Sequence, residues 1–179
     1  GERLAYTHSD PARTSDVWVV APDGGRVTPL TNSVPSELRQ EARFTSPELV
    51  RYPSFDGTEI SALVYRPPGR NSDERFPAVL FFRDSLEGHN ALSWNPFIQS
   101  LVSNGYLVFA PNVRGSSGQG KDFRQAAFSL GGEIDVRDAC FGLDRLTGDG
   151  LIVSESVGVF GAGTGGFLVT AALARDSSS

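Results

Sequence analysis

Gly161, Gly163 and Gly166 lie in the stretch VGVFGAGTGGFLVTAALAR, residues 157–175, where an apolar run gives way to a helix-forming one. Two chemistries use such a turn. G-x-G-x-x-G after a strand seats a dinucleotide pyrophosphate on the amino end of the following helix. G-x-S-x-G instead raises a nucleophilic serine on a strained strand-to-helix turn. Gly161-Ala162-Gly163-Thr164-Gly165 fits the second pattern with glycine in the place of the serine. The first reading predicts a bound cofactor, the second a hydrolytic turn without its attacking group.

Context separates the two. A dinucleotide site asks for a second strand and an acidic residue about 20 positions on, to hold the ribose. Only 179 − 166 = 13 residues follow Gly166, and Asp176 is too near. The dinucleotide-binding reading is therefore the weaker alternative, and no cofactor is expected. Other candidate groups are sparse. His8 and His89 with the single Cys140 offer no metal-ligand spacing, so no metal is expected, and one cysteine excludes an internal disulfide. Ser85, Ser116 and Ser117 are hydroxyls near His89 in sequence order, but a dyad among them lacks a third, orienting group. Thr164 is read as the start of the helix. Arg114, in a Gly/Ser loop, is read as bonding local carbonyls or a carboxylate such as Asp122 rather than a substrate.

Lys+Arg 16 against Asp+Glu 21 leaves a net charge of −5 over 179 residues, and the charges are scattered. That argues against nucleic acid or an anionic membrane surface as partner. No apolar run approaches the roughly 18 residues of a membrane helix, and GERLAYTHSD has no basic-then-apolar segment. A cytoplasmic protein is the expectation. The absence of methionine suggests a chain cut from something longer.

The elements that must position the turn follow from periodicity. Residues 3 to 31 read as β, with a run at Val17 to Val20, a turn at Pro22-Asp23-Gly24-Gly25 and a return run from Arg26 to Leu30. Residues 32–47 are polar and read as a connector with a helical turn. LVRYPSF and TEISALVYRP flank Asp56-Gly57 as a second hairpin, Ile60, Ala62 and Val64 alternating against Ser61, Leu63 and Tyr65. PPGRNSDER is an exposed loop. PAVLFF and YLVFAP are continuous apolar runs, as in strands covered on both faces. Between them NPFIQSLVSNG predicts a helix capped by Asn95, with Pro96 first, Phe97 and Leu101 on its apolar face and Gly105 as its stop. EIDVRDACFGLDRL predicts another, with Val136, Ala139, Cys140, Leu143 and Leu146 on one stripe. Alternating strands and helices imply a parallel sheet covered on both faces.

These segments resemble, in order from about Leu4 to Arg175, the prolyl oligopeptidase family of serine peptidases, particularly its acylaminoacyl peptidase and dipeptidyl aminopeptidase branches. The likeness is carried by SDVWVV, DGGRVTPLTN, ELVRYPSFDGTEISALVYRPPG, the Asn112-Val113-Arg114-Gly115-Ser116 string and GGEIDVRDACFGLDRL. It implies the end of a β-propeller blade over 1–33, a linker over 34–47 and the N-terminal half of an α/β-hydrolase domain over 48–179, an α/β fold with a mostly parallel sheet. It also implies where the chemistry belongs: a serine at position 163, an oxyanion N–H from Thr164, and a His-Gly-Gly-Pro strand end where this chain has Arg83, Asp84, Ser85 and Leu86. Side chains there are expected to obstruct the oxyanion hole. The family's acid and histidine follow the serine, beyond Ser179. The expectation is a pseudoenzyme acting as a scaffold or peptide-binding module. The alternative is one piece of an active serine exopeptidase. A buried-type strand left at the sheet edge, near Val157, Val159 and Gly161, is expected to recruit a second copy or a complementing chain.

Overall fold

The computed structural model describes residues 2–36, 44–69, 74–85, 88–128 and 131–176. The middle of the predicted connector (37–43) and Leu86 of the strand-end motif lie outside the described residues.

Strands β1 (Leu4–Asp10), β2 (Arg13–Val20) and β3 (Thr28–Pro29) make a small antiparallel sheet in that order. The return run expected from Arg26 to Leu30 pairs in register with β2 at Thr28 and Pro29, and the Leu30 N–H donates to the Val17 carbonyl at 2.8 Å. Beyond it the chain is held by the Asp16 carboxylate, which accepts from Thr31 Oγ1 at 2.7 Å and from the Ser33 N–H at 2.8 Å.

The second sheet carries the site. It comprises β4 (Glu48–Pro53), β5 (Glu59–Tyr65), β6 (Phe76–Phe82), β7 (Leu107–Asn112) and β8 (Ile152–Gly161), in the order β4-β5-β7-β6-β8. Only β5 is antiparallel to its neighbours, so the other four strands run one way, as the mostly parallel reading requires. Helices α1 (Pro96–Ser103), α2 (Lys121–Gln125), α3 (Ile134–Gly148) and α4 (Thr164–Asp176) complete the unit.

Both faces of the sheet are covered. On one, Ile60, Val64, Leu80 and Phe109 pack with Val136 and Ala139 of α3 and Leu168 of α4. On the other, Leu63, Tyr65, Val108 and Ala110 meet Ile98 and Val102 of α1. Each such large side chain contributes roughly 1.5–3 kcal/mol by leaving water. Leu63 and Tyr65, which alternate with Ile60, Ala62 and Val64, are buried under α1. The expected stripe of α3 faces the core. Helix α1 is capped as predicted, Asn95 Oδ1 accepting the N–H groups of Phe97 and Ile98, but its buried residues are Ile98, Gln99 and Val102; of the predicted pair Leu101 packs half-buried on the same cluster and Phe97 is exposed. Gln99 explains the rotation. Its Nε2 donates to the carbonyls of Pro11 at 2.7 Å and Thr45 at 2.8 Å, and its Oε1 accepts the Thr45 N–H, so a buried amide ties the β1–β2 turn to α1.

Arg114 is 7% exposed and pairs with Asp138 and Asp56, not Asp122. Its guanidinium donates to both carboxylate oxygens of the fully buried Asp138, through Nη2 at 2.7 Å and Nε at 3.0 Å, and its own N–H donates to the same group at 2.9 Å. Ser54 Oγ donates to Asp138, and Tyr52 Oη donates to the Asp138 carbonyl. One buried pair thus joins the β4–β5 hairpin, the loop after β7 and α3. Asp56 binds the opposite side of the guanidinium. Slight desolvation works against ionisation there, but the bonds from Arg114 and Thr58 outweigh it and hold the carboxyl at about 2.

Removing one member of a buried pair strands the other. Asp138→Ala is expected to cost about 3–5 kcal/mol in urea denaturation, and a loss under 1 kcal/mol would contradict the network. Asp56 supplies a pH signature of the opposite partner. An unfolded aspartate titrates near about 3.9 and the folded one lower, so its stabilisation is full above that range and lost as pH falls toward 2. Asp56→Asn should flatten this part of the acid limb of the stability curve.

Candidate active site

Parallel pairing brings the ends of β6 and β8 together, Phe82 opposite Gly161. Each strand then turns outward at the same end of the sheet, so residues 83–85 and 162–165 face one another. Gly163 has φ +53°, a left-handed conformation that costs on the order of 1–3 kcal/mol for a residue with a β-carbon. A Cβ there would lie 2.8 Å from the Asp84 carbonyl oxygen. Gly165 is as tightly placed, its absent Cβ falling 2.5 Å from the Arg83 carbonyl oxygen. Glycine is what lets the first turn of α4 press against the end of β6.

The contact has a polar component. Thr164, expected from the family resemblance to offer an oxyanion N–H, gives that N–H to the Asp84 carbonyl at 3.3 Å. Arg83 and Asp84 are both exposed side chains, 4.0 Å apart. The Arg83 guanidinium donates to the His89 carbonyl and lies across Gly88, where a Cβ would sit 2.5 Å from its Cζ. Ser85 is exposed, its carbonyl accepting the Gly88 N–H at 3.4 Å. The segment after β6 is therefore folded back on itself beside the turn.

Asn112, which the sequence reading singled out only as part of a string, positions this segment. It is 7% exposed; its Oδ1 accepts the Asn90 N–H at 2.6 Å and its Nδ2 donates to Ser61 Oγ. Asn90 in turn donates to the Pro111 carbonyl. The signal available in sequence was its place at the end of an apolar strand run, where a carboxamide must find partners. Of the three serines, the fold brings Ser117 to His89, with Oγ and Nδ1 3.3 Å apart. Beside the turn, Phe81, Phe97 and Phe160 form a ring-on-ring wall, the closest centroids 4.3 Å apart, along a cavity of about 490 Å³ whose rim includes Arg83, Asp84 and Ala162. Val157 and Val159 pair inward with Ala78 and Leu80, and β8 is the outermost strand of its sheet among the described residues.

A largely parallel sheet with helices on both faces and a glycine-flanked turn at the end of a strand define the α/β-hydrolase class. The sequence profile of the prolyl oligopeptidase family matches residues 91–178. The chain is 26% identical to the uncharacterized peptidase YuxL of Bacillus subtilis over 88% of its length, and 26% identical to dipeptidyl peptidase 8 of Mus musculus over 98%. It spans 24% and 19% of those relatives. Among solved structures, a puromycin-hydrolyzing peptidase of Mycobacterium tuberculosis superposes with a TM-score of 0.85 at 24% identity, covering 98% of this chain and 28% of that one. The acylaminoacyl peptidase of Pyrococcus horikoshii gives 0.83 at 23%, with the same coverage. No helix among the described residues is long and apolar enough to cross a membrane.

The turn geometry predicts the effect of supplying a side chain. Gly163→Ser should destabilise the fold by about 1–3 kcal/mol, measured by urea denaturation, and should yield no turnover of a p-nitrophenyl ester. A stable variant with burst kinetics would contradict the geometry.

Proposed function

We propose that this segment is a catalytically silent prolyl-oligopeptidase-family unit that binds peptide or scaffolds a partner rather than cleaving. The observation that carries the reading is the turn itself: position 163 bears no attacking atom, and the neighbouring Thr164 N–H is engaged by the Asp84 carbonyl. Acyl transfer needs both a nucleophile and free donors where the oxyanion develops. Glycine also relieves strain that a serine at this φ would carry, so loss of the chemistry and gain of stability run together.

The dinucleotide alternative meets the same obstacle, because a pyrophosphate would compete with a carbonyl oxygen already on the first N–H of α4. A hydrolytic alternative draws on the Ser117–His89 contact. In it Ser117 Oγ would attack an acyl carbon, its proton passing to His89 Nδ1 as the leaving group departs. The arrangement lacks an orienting carboxylate on the histidine among the described contacts.

A fluorophosphonate probe separates these readings. The silent unit should remain unlabelled in intact-mass measurement. A covalent adduct mapped to Ser117 would establish the hydrolytic alternative.

A further inference from the structure

The cavity beside the turn is apolar at its base and aromatic along one side. Leu63, Ala110 and Ile98, all buried, form the base. Phe81, Phe97 and Phe160 make the wall, with the Phe81 and Phe160 rings stacked at 17° between their planes. Phe97 and Phe160 remain 41% and 37% exposed, so the wall has ring surface left to cover. The volume of about 490 Å³ lies within the roughly 300–1,000 Å³ of small-ligand sites. Arg83 and Asp84, one charge of each sign, stand 4.0 Å apart at the rim, so the opening favours no net charge.

One polar group inside this cavity is unsatisfied. Tyr65, the last residue of β5, is 2% exposed and lines the same space. Its hydroxyl makes no hydrogen bond among the described residues, and burial alone pushes its pKa up. The unpartnered polar atoms sealed from solvent among the described residues are Trp18 Nε1, Arg66 Nε, Trp94 Nε1 and Asp135 Oδ2. The Tyr65 hydroxyl is not one of these, so it keeps an open side, and the space it meets is the cavity. Taking a hydroxyl from bulk water without a partner is unfavourable, and a ligand that brings a partner offsets this.

We propose that this cavity binds the side chain of a tyrosine in a peptide, its ring on the wall of Phe81, Phe97 and Phe160 and its hydroxyl on Tyr65 Oη. A phenol matches because it joins an aromatic face to a tip that both donates and accepts. A phenylalanine would cover the wall and leave the Tyr65 hydroxyl bare. A charged side chain would lose its hydration against the apolar base. The volume left beside one ring, opening at Arg83 and Asp84, has room for the flanking amides of a chain. The inference rests on the peptide-binding part of the reading above and names the residue bound.

Ligand-observed NMR titration of the whole chain tests it with N-acetyl-tyrosinamide, N-acetyl-phenylalaninamide and p-cresol. The tyrosine amide is expected to bind saturably, more tightly than p-cresol and roughly three- to tenfold more tightly than the phenylalanine amide, the difference one hydrogen bond makes. Tyr65→Phe should bring the two amides within about twofold of each other, with thermal unfolding unchanged because the hydroxyl holds nothing in the fold. Phe97→Ala should weaken both amides about threefold or more. Equal affinity of the wild type for the two amides, or a Tyr65→Phe variant that keeps the preference, would overturn the tyrosine assignment and leave peptide binding standing. Tighter binding of p-cresol would overturn the peptide as the source of the phenol. No saturable binding of any of the three would overturn the proposal together with the peptide-binding reading.

Discussion

The approach of α4 to the end of β6 is the constraint on which the site depends. A carbonyl oxygen at position 84 accepts the first N–H of the helix, and three glycines at 161, 163 and 165 leave room for the contact. In an acyl-transfer enzyme this space belongs to a serine side chain, and the N–H beside it points at a developing negative charge. Here main chain fills the one and engages the other. Position 163 and the direction of the Thr164 N–H are set by the same contact. The Arg83 side chain reinforces it from outside: the guanidinium is clipped to the His89 carbonyl and lies over Gly88.

This local closure rests on an ordered frame. The Arg114–Asp138 pair joins three elements that meet far apart in sequence, and its bidentate geometry with added bonds from Ser54 and the Arg114 main chain offsets the desolvation of two charges. Asn112 then carries order from β7 to the segment after β6. On the other face, the Gln99 amide does for the small sheet what Arg114 does for the large one. Arg114, Asp138, Asn112 and Gln99 thus act between elements.

That is also why the sequence was legible in some places and opaque in others. Strands β6 and β7 were readable because continuous apolar runs need no knowledge of their neighbours. The turn was readable because glycine spacing is local. The buried face of α1 was not: PFIQSLVS offers two adjacent i, i+4 pairs, Phe97/Leu101 and Ile98/Val102, and the buried pair carries Gln99 beside it, whose partners lie 54 and 88 residues away. Arg114 was recognised as structural, yet its carboxylates are 24 and 58 residues distant rather than the nearby Asp122. The carbonyl of Asp84 left no trace in sequence at all, since a main-chain acceptor is common to every residue type.

The central claim is that the Thr164 N–H is a bonded group in the resting fold. Residue-resolved amide hydrogen exchange measures this directly. The account predicts that the Thr164 amide exchanges slowly, at a rate comparable to the Phe167 amide one turn into α4. Exchange at the rate of an open, solvent-facing N–H would contradict it and leave a donor free for an oxyanion.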